Sequence, residues 1–80
     1  MLLTIEYSDL NARNISEGNI EIFCDEEGID FLIKKLTNLK KYGGHEHFKT
    51  PSWAGHELTE EKQVENNYII NHLTIYLTPP

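Results

Sequence analysis

The side chains best suited to chemistry in this chain are its histidines, its single cysteine and its paired carboxylates. His45 and His47 are separated by one residue in the run His45-Glu46-His47-Phe48-Lys49-Thr50. On an extended strand that spacing puts both imidazoles on one face, about 6.5–7 Å apart along the chain. Joined by His56 or His72, or by Glu21, they would offer a three-ligand metal site. A His-x-His strand is also a feature of cupins, but that pattern wants a glutamate a few residues on, where Pro51 stands, and the chain is too short for a jelly roll. The plainer reading is of surface or loop-pinning histidines, and no resident cofactor is expected.

Cys24 sits at the end of a predicted strand just before a helix N-terminus, a place that can lower a thiol pKa. No spacing links it to His45 or His47 as a base, so it reads as a small buried hydrophobe. Glu26-Glu27 and Glu60-Glu61 are adjacent carboxylates on polar segments, where both are normally solvated rather than set up for acid–base work. Gly43-Gly44 lacks the Lys-Ser/Thr that would follow in a phosphate loop. The residues therefore favour binding over catalysis. Trp53, in Pro51-Ser52-Trp53-Ala54-Gly55, either plugs the end of a small core or anchors an interface, where Trp is enriched among hot spots.

The elements that must hold these residues follow from the hydrophobic pattern. Residues 2–7 alternate and predict a first strand, residues 8–17 a loop, and residues 18–24 a second strand. Asp25 is a good helix N-cap, with Glu26 and Glu27 where the macrodipole favours acids. Ile29, Leu32, Ile33, Leu36 and Leu39 then form one apolar stripe, with Phe31 off it. Lysines load the last turns, and Gly43 or Gly44 supplies the stop. Residues 45–50 make a third strand ended by Pro51, which cannot donate to a ladder. Residues 52–58 form a shaped loop, 59–67 a polar connection, and 68–77 the longest strand.

This order predicts an α+β fold, a four-stranded antiparallel sheet (β-β-α-β-β) with one helix packed on one face. One apolar stripe can cover only one face of a sheet. By alternation the open face would carry Thr4, Glu6, Glu21, Phe23, His45, His47, His72, Thr74 and Tyr76. Such a face, or a last strand at the sheet edge, could meet a partner or a second copy. Half-exposed strands also carry Tyr, Thr and His for β propensity alone.

Eighty residues allow one domain, 1–80, which buries about 60–65% of its unfolded surface. The net charge of −6 argues against direct nucleic-acid contact and suits a basic partner, although acidic soluble proteins are common. There is no apolar run long enough to span a membrane, and the N-terminus lacks the basic region of a signal peptide. A single cysteine fits a reducing cytosol.

Taken together, Asp25-Glu26-Glu27-Gly28-Ile29, Leu32-Ile33-x-x-Leu36, Gly44-His45-x-His47-Phe48 and Pro51-Ser52-Trp53-x-Gly55-x-Glu57-Leu58 resemble the small immunity proteins of bacterial polymorphic toxin and contact-dependent inhibition systems. The closest pattern is that of immunity protein family thirty-two, over about residues 18–60. Ala54 stands where that pattern leads one to expect a second glycine. The resemblance implies a non-enzymatic cytoplasmic protein that binds and blocks a cognate toxin domain, often a nuclease with a basic cleft. It carries over His45, His47, Trp53, Gly55 and Glu57 as motif positions. The expected toxin contacts are Glu21, Glu26, Glu27, Asp30, Glu60 and Glu61, with Trp53 and Tyr76 as apolar anchors.

Overall fold

A computed structural model describes residues 1–80. Strand β1 (Leu3–Ser8) pairs antiparallel with β2 (Asn19–Cys24), in a register that sets Leu3 opposite Cys24 and Ser8 opposite Asn19. The connection between them folds on itself. A 3-10 turn at Ile15–Glu17 is capped by Asn14, and the Tyr7 hydroxyl donates to the Ile15 carbonyl at 2.8 Å.

Helix α1 (Glu26–Tyr42) starts where the sequence predicts. The Asp25 carboxylate accepts from the Gly28 amide at 2.7 Å and from the Leu2 amide at 2.9 Å, tying the helix cap to the start of β1. Those two amides hold Asp25 below the usual carboxylate range. Gly43, at φ 75°, ends the helix with its amide on the Leu39 carbonyl. Strand β3 (His45–Lys49) follows, then a 3-10 turn at Pro51–Trp53, strand β4 (Tyr68–Ile69) and strand β5 (His72–Tyr76).

The strands do not form the expected four-stranded sheet. They make a three-stranded sheet, β2-β1-β4, and a two-stranded sheet, β3-β5. The cause is a break in the predicted last strand. Its first piece pairs with β1 and its second with β3. Between them the Ile70 amide donates to the Ile5 carbonyl, while Thr50 grips Asn71 twice, amide to carbonyl at 3.1 Å and hydroxyl to side-chain oxygen at 2.8 Å. The break also shifts the alternation by one residue. Ile70, Leu73 and Ile75 all pack on the core, so Ile70 joins the face that the sequence pattern gave to Ile69.

The core is small: Leu3, Ile5, Phe48 and Leu58 are fully enclosed, with Cys24, Phe31, Leu32, Ile70, Leu73 and Ile75 around them. Cys24, expected to be buried, is half-buried and packs against this core.

The helix is rotated from the expected stripe. Gly28 and Leu39 are buried, Phe31 and Leu32 pack against the core, and Phe31 meets Phe48 edge-on at 6.4 Å. Ile29, Ile33 and Leu36 face out, each between 44% and 57% exposed. Two residues set this rotation. A Cβ on Gly28 would lie 2.2 Å from the Leu2 carbonyl oxygen, so only glycine lets the helix seat there. Phe31 then reaches further over Phe48 than an isoleucine would. Lys35 runs along the same flank, half-buried, its Nζ 5.5 Å from the Phe31 ring and 3.9 Å from Glu46.

The other face of β1 is not open either. Thr4 and Glu6 have no exposed surface, because residues 59–67 fold across them. The Leu3 amide donates to Thr59 Oγ1, and the Thr59 amide donates to the Leu3 carbonyl, so Thr59 extends the pairing of β1. The Glu6 carboxylate accepts from Thr4 Oγ1 at 2.7 Å, the Gln63 amide at 2.9 Å, Asn67 Nδ2 at 3.0 Å and the Val64 amide at 3.3 Å. The polar connection is thus a lid clipped to one buried carboxylate.

Candidate functional site

The residues singled out by sequence fall into three places. The first is the histidine face. His45, His47 and His72 sit together on β3 and β5, on the side away from Phe48. His47 stands directly across from Thr74, and His72 is two residues before Thr74 on the same strand. His47 Nδ1 lies 2.8 Å from His72 Nε2, and Thr74 Oγ1 lies 3.1 Å and 3.2 Å from those two nitrogens. His45 meets the His47 ring edge-on at 4.7 Å and the Tyr76 ring at 5.5 Å. Burial, then the neighbouring His45, His72 and Lys49 charges, hold His47 below the ordinary imidazole range. Trp53 flanks His72 at 6.3 Å and is 56% exposed, which excludes the core-plug reading. Tyr76 is 66% exposed.

His56 does not join this cluster. It is an exposed side chain whose Nδ1 lies 3.2 Å from Glu57. Glu21 is held elsewhere, accepting from Asn67 Nδ2 at 2.8 Å. No group of three or more His, Cys, Asp or Glu side chains is arranged to hold a metal ion. The three-ligand sets expected from His45, His47, His56, His72 and Glu21 are therefore not assembled.

The second place is the motif loop. The Gly55 amide donates to the Thr50 carbonyl and the Leu58 amide to the Lys49 carbonyl, curling residues 51–58 back on the end of β3. Glu57 Oε1 accepts from the Lys49 amide at 2.9 Å. Burial pushes the Glu57 carboxyl up, but the Lys49 and His56 amides outweigh it and hold the group low. A Cβ on Gly55 would fall 2.6 Å from the Lys49 carbonyl oxygen. Gly55, Glu57 and Leu58 thus fold the loop, and Trp53 is what the loop displays.

The third place was not singled out by sequence. Phe31 and Lys35 point towards β3, where they meet Phe48 and Glu46. At about 100° per residue, Ile29, Ile33 and Leu36 lie on the opposite flank, overhanging β2. Ile20 and Ile22 pair with Tyr7 and Ile5, so they lie on the helix side of that edge strand, and both are more than half exposed. Ile29, Ile33 and Leu36 are thus exposed on one flank of the helix, and Ile20 and Ile22 on the helix side of the edge strand. Glu26 and Asp30 line a shallow hollow with Ile29 at its N-terminal end. Neither carboxylate is in an ion pair, whereas Glu27 is bound to the N-terminal ammonium at 3.0 Å. Glu60 is engaged too: the Ser52 side chain and amide hold it low, the amide at 2.8 Å. Glu61 is exposed. Of the acidic positions expected to meet a partner, Glu26, Asp30 and Glu61 are thus unengaged, and two of these lie beside Ile29. The signal that would have revealed the exposed helix flank was Gly28 beside Phe31, a small and a large residue that together turn the helix.

No helix is long and apolar enough to cross a membrane. Comparison of the chain with protein-family models, with curated proteins and with solved structures finds no match in any of the three.

Proposed function

We propose that this chain is a non-enzymatic binding protein that neutralises a basic toxin domain, docking it on the apolar flank of α1 and β2. One observation carries the reading. Five large aliphatic side chains are exposed on one helix flank and the helix side of β2, and the carboxylates of Glu26 and Asp30 beside Ile29 are in no ion pair. Contiguous apolar surface with a polar rim is how docking sites are built. The net charge of −6 would speed association with a basic nuclease cleft in the cytoplasm of the producing cell. The motif residues His45, His47, Trp53, Gly55 and Glu57, which resemble immunity protein family thirty-two, add support from a separate part of the chain.

The test is co-expression with the domain encoded by the neighbouring reading frame, scored for toxicity and rescue, followed by affinity measurement at low and high salt. The wild-type chain should rescue growth and bind with an interface of roughly 1,200–2,000 Å². Ile33→Asp should weaken binding at least tenfold at any salt. Glu26→Lys with Asp30→Lys should slow association and flatten its salt dependence. Unchanged affinity in both variants would sink the assignment of this surface. Loss in Trp53→Ala and Tyr76→Ala instead would move the partner to the histidine face.

A further inference from the structure

We propose that His47 Nδ1, His72 Nε2 and Thr74 Oγ1 form one face of a binding site for a divalent transition-metal ion, Ni²⁺ or Cu²⁺. The inference is independent of toxin binding. The three atoms form a triangle with sides of 2.8, 3.1 and 3.2 Å. Two ligand atoms held cis at about 2.1 Å on an octahedral or tetragonal cation lie about 3.0 Å apart. A tetrahedral cation with the same bonds would need about 3.4 Å. The observed triangle fits the first geometry, which suits Ni²⁺ and Cu²⁺ better than structural Zn²⁺. Imidazole is a good ligand for both ions.

The ladder makes the arrangement rigid. His47 and Thr74 are a direct cross-strand pair, and His72 lies on the same face of the same strand as Thr74. The His47 ring is also flanked on both sides, by His45 at 4.7 Å and His72 at 5.0 Å. Without metal, a contact of 2.8 Å between two ring nitrogens needs one proton between them. With metal, that proton moves to His72 Nδ1 and His47 keeps its proton on Nε2. Both facing nitrogens then offer a lone pair to the ion once the rings turn towards it, and the number of protons on the two neutral rings is unchanged. Two imidazoles and one hydroxyl leave three positions for water. Lys49, across from His72, opposes a cation. Micromolar rather than nanomolar affinity follows.

The test is calorimetric titration of the full, tag-free chain with NiCl₂ and with CuCl₂, alongside electron paramagnetic resonance of the Cu²⁺ form. The expected result is one ion per chain and hyperfine coupling to two equatorial nitrogens, a readout that needs no variant. His47→Ala and His72→Ala should each weaken binding at least tenfold, with circular dichroism unchanged because both side chains lie on the solvent side of the sheet. His56→Ala should leave binding as it was. Absence of stoichiometric binding, coupling to fewer than two nitrogens, or binding that survives His47→Ala combined with His72→Ala would overturn the proposal.

Discussion

Replacing Glu6 with alanine removes the acceptor that four donors share: Thr4 Oγ1, the Gln63 and Val64 amides, and Asn67 Nδ2. Glu6 has no exposed surface, so water does not substitute for the lost carboxylate. A hydrogen bond to a charged group contributes about 1.5–3 kcal/mol, and a buried donor left without a partner costs about 1–3 kcal/mol. These terms do not add, because residues 59–67 can lift and rehydrate their own amides. About 3–4 kcal/mol is the expected loss, comparable to breaking a buried charge pair. A chain of 80 residues has about 4–12 kcal/mol in total. Glu6→Ala should therefore lower Tm by roughly 12–32 °C or leave the chain partly unfolded. Glu6→Gln keeps the shape but turns an amide N–H₂ towards donors, and should cost about half as much.

The pH dependence is a second readout of the same clip. Burial pushes the Glu6 carboxyl up, but the hydrogen bonds from Gln63, Thr4, Asn67 and Val64 outweigh burial and hold it below the usual range. A carboxyl lowered in the folded state stabilises fully above its unfolded pKa of about 4.3, and that stability is lost as pH falls through the folded value. The wild-type chain should thus lose stability below about pH 4.3, and Glu6→Gln should lose less over the same interval. Urea denaturation followed by circular dichroism across that range measures both effects. Amide exchange at Gln63 and Val64 locates them. A loss under about 1 kcal/mol in Glu6→Ala, with those amides still protected, would refute the clipped-lid account.

Two further substitutions test the seating of the helix and of the motif loop. Gly28→Ala should destabilise by about 1–3 kcal/mol in thermal melts, because the added methyl meets the Leu2 carbonyl. Helix propensity alone predicts the opposite sign, a gain of about 1 kcal/mol, so a stabilised variant would mean the helix is not seated on Gly28. Ala54→Gly should stabilise by up to about 1 kcal/mol, since Ala54 has a φ of 63° in the left-handed region where a Cβ is unfavourable. A fall in Tm there would count against the described turn.

Element positions were legible because local signals carried them. Asp25 marks the helix start, Gly43 its end, and Pro51 the end of β3, and all three act as their chemistry dictates. The sheet was misread at Ile69-Ile70-Asn71, where two apolar residues in succession hid a one-residue slip. Only the tertiary grip of Thr50 on Asn71 decides that break. The helix face was misread for a related reason. A stripe counted from Ile29 looks sound by periodicity, yet periodicity does not register that Gly28 permits the closest approach. The lid over Thr4 and Glu6 was beyond sequence altogether, since residues 59–67 are polar and bury themselves through hydrogen bonds rather than apolar contact.

The motif loop separates into residues that build and residues that are displayed, and the division bears on function. Gly55 is bound to Thr50, Glu57 to Lys49, and Leu58 to Lys49 and the core, so their presence is accounted for by folding alone. Trp53, Tyr76 and the His45–His47–His72 face are not. A chain with so small a core gains stability from every large side chain it buries, at about 25 cal/mol per Å² of apolar surface. Leaving a tryptophan, a tyrosine and five aliphatics outside forgoes that gain at seven positions. The exposed groups also divide by chemistry. The α1–β2 flank is aliphatic with free carboxylates, which suits a basic protein surface. The β3–β5 face is imidazole and aromatic, which suits a metal ion or a flat partner group. The two belong to different sheets, one on the helix side of β2 and the other on the face of β3–β5 away from Phe48. Substitutions on one should therefore leave binding at the other intact, and additive behaviour of Ile33→Asp with His47→Ala is what two independent surfaces require.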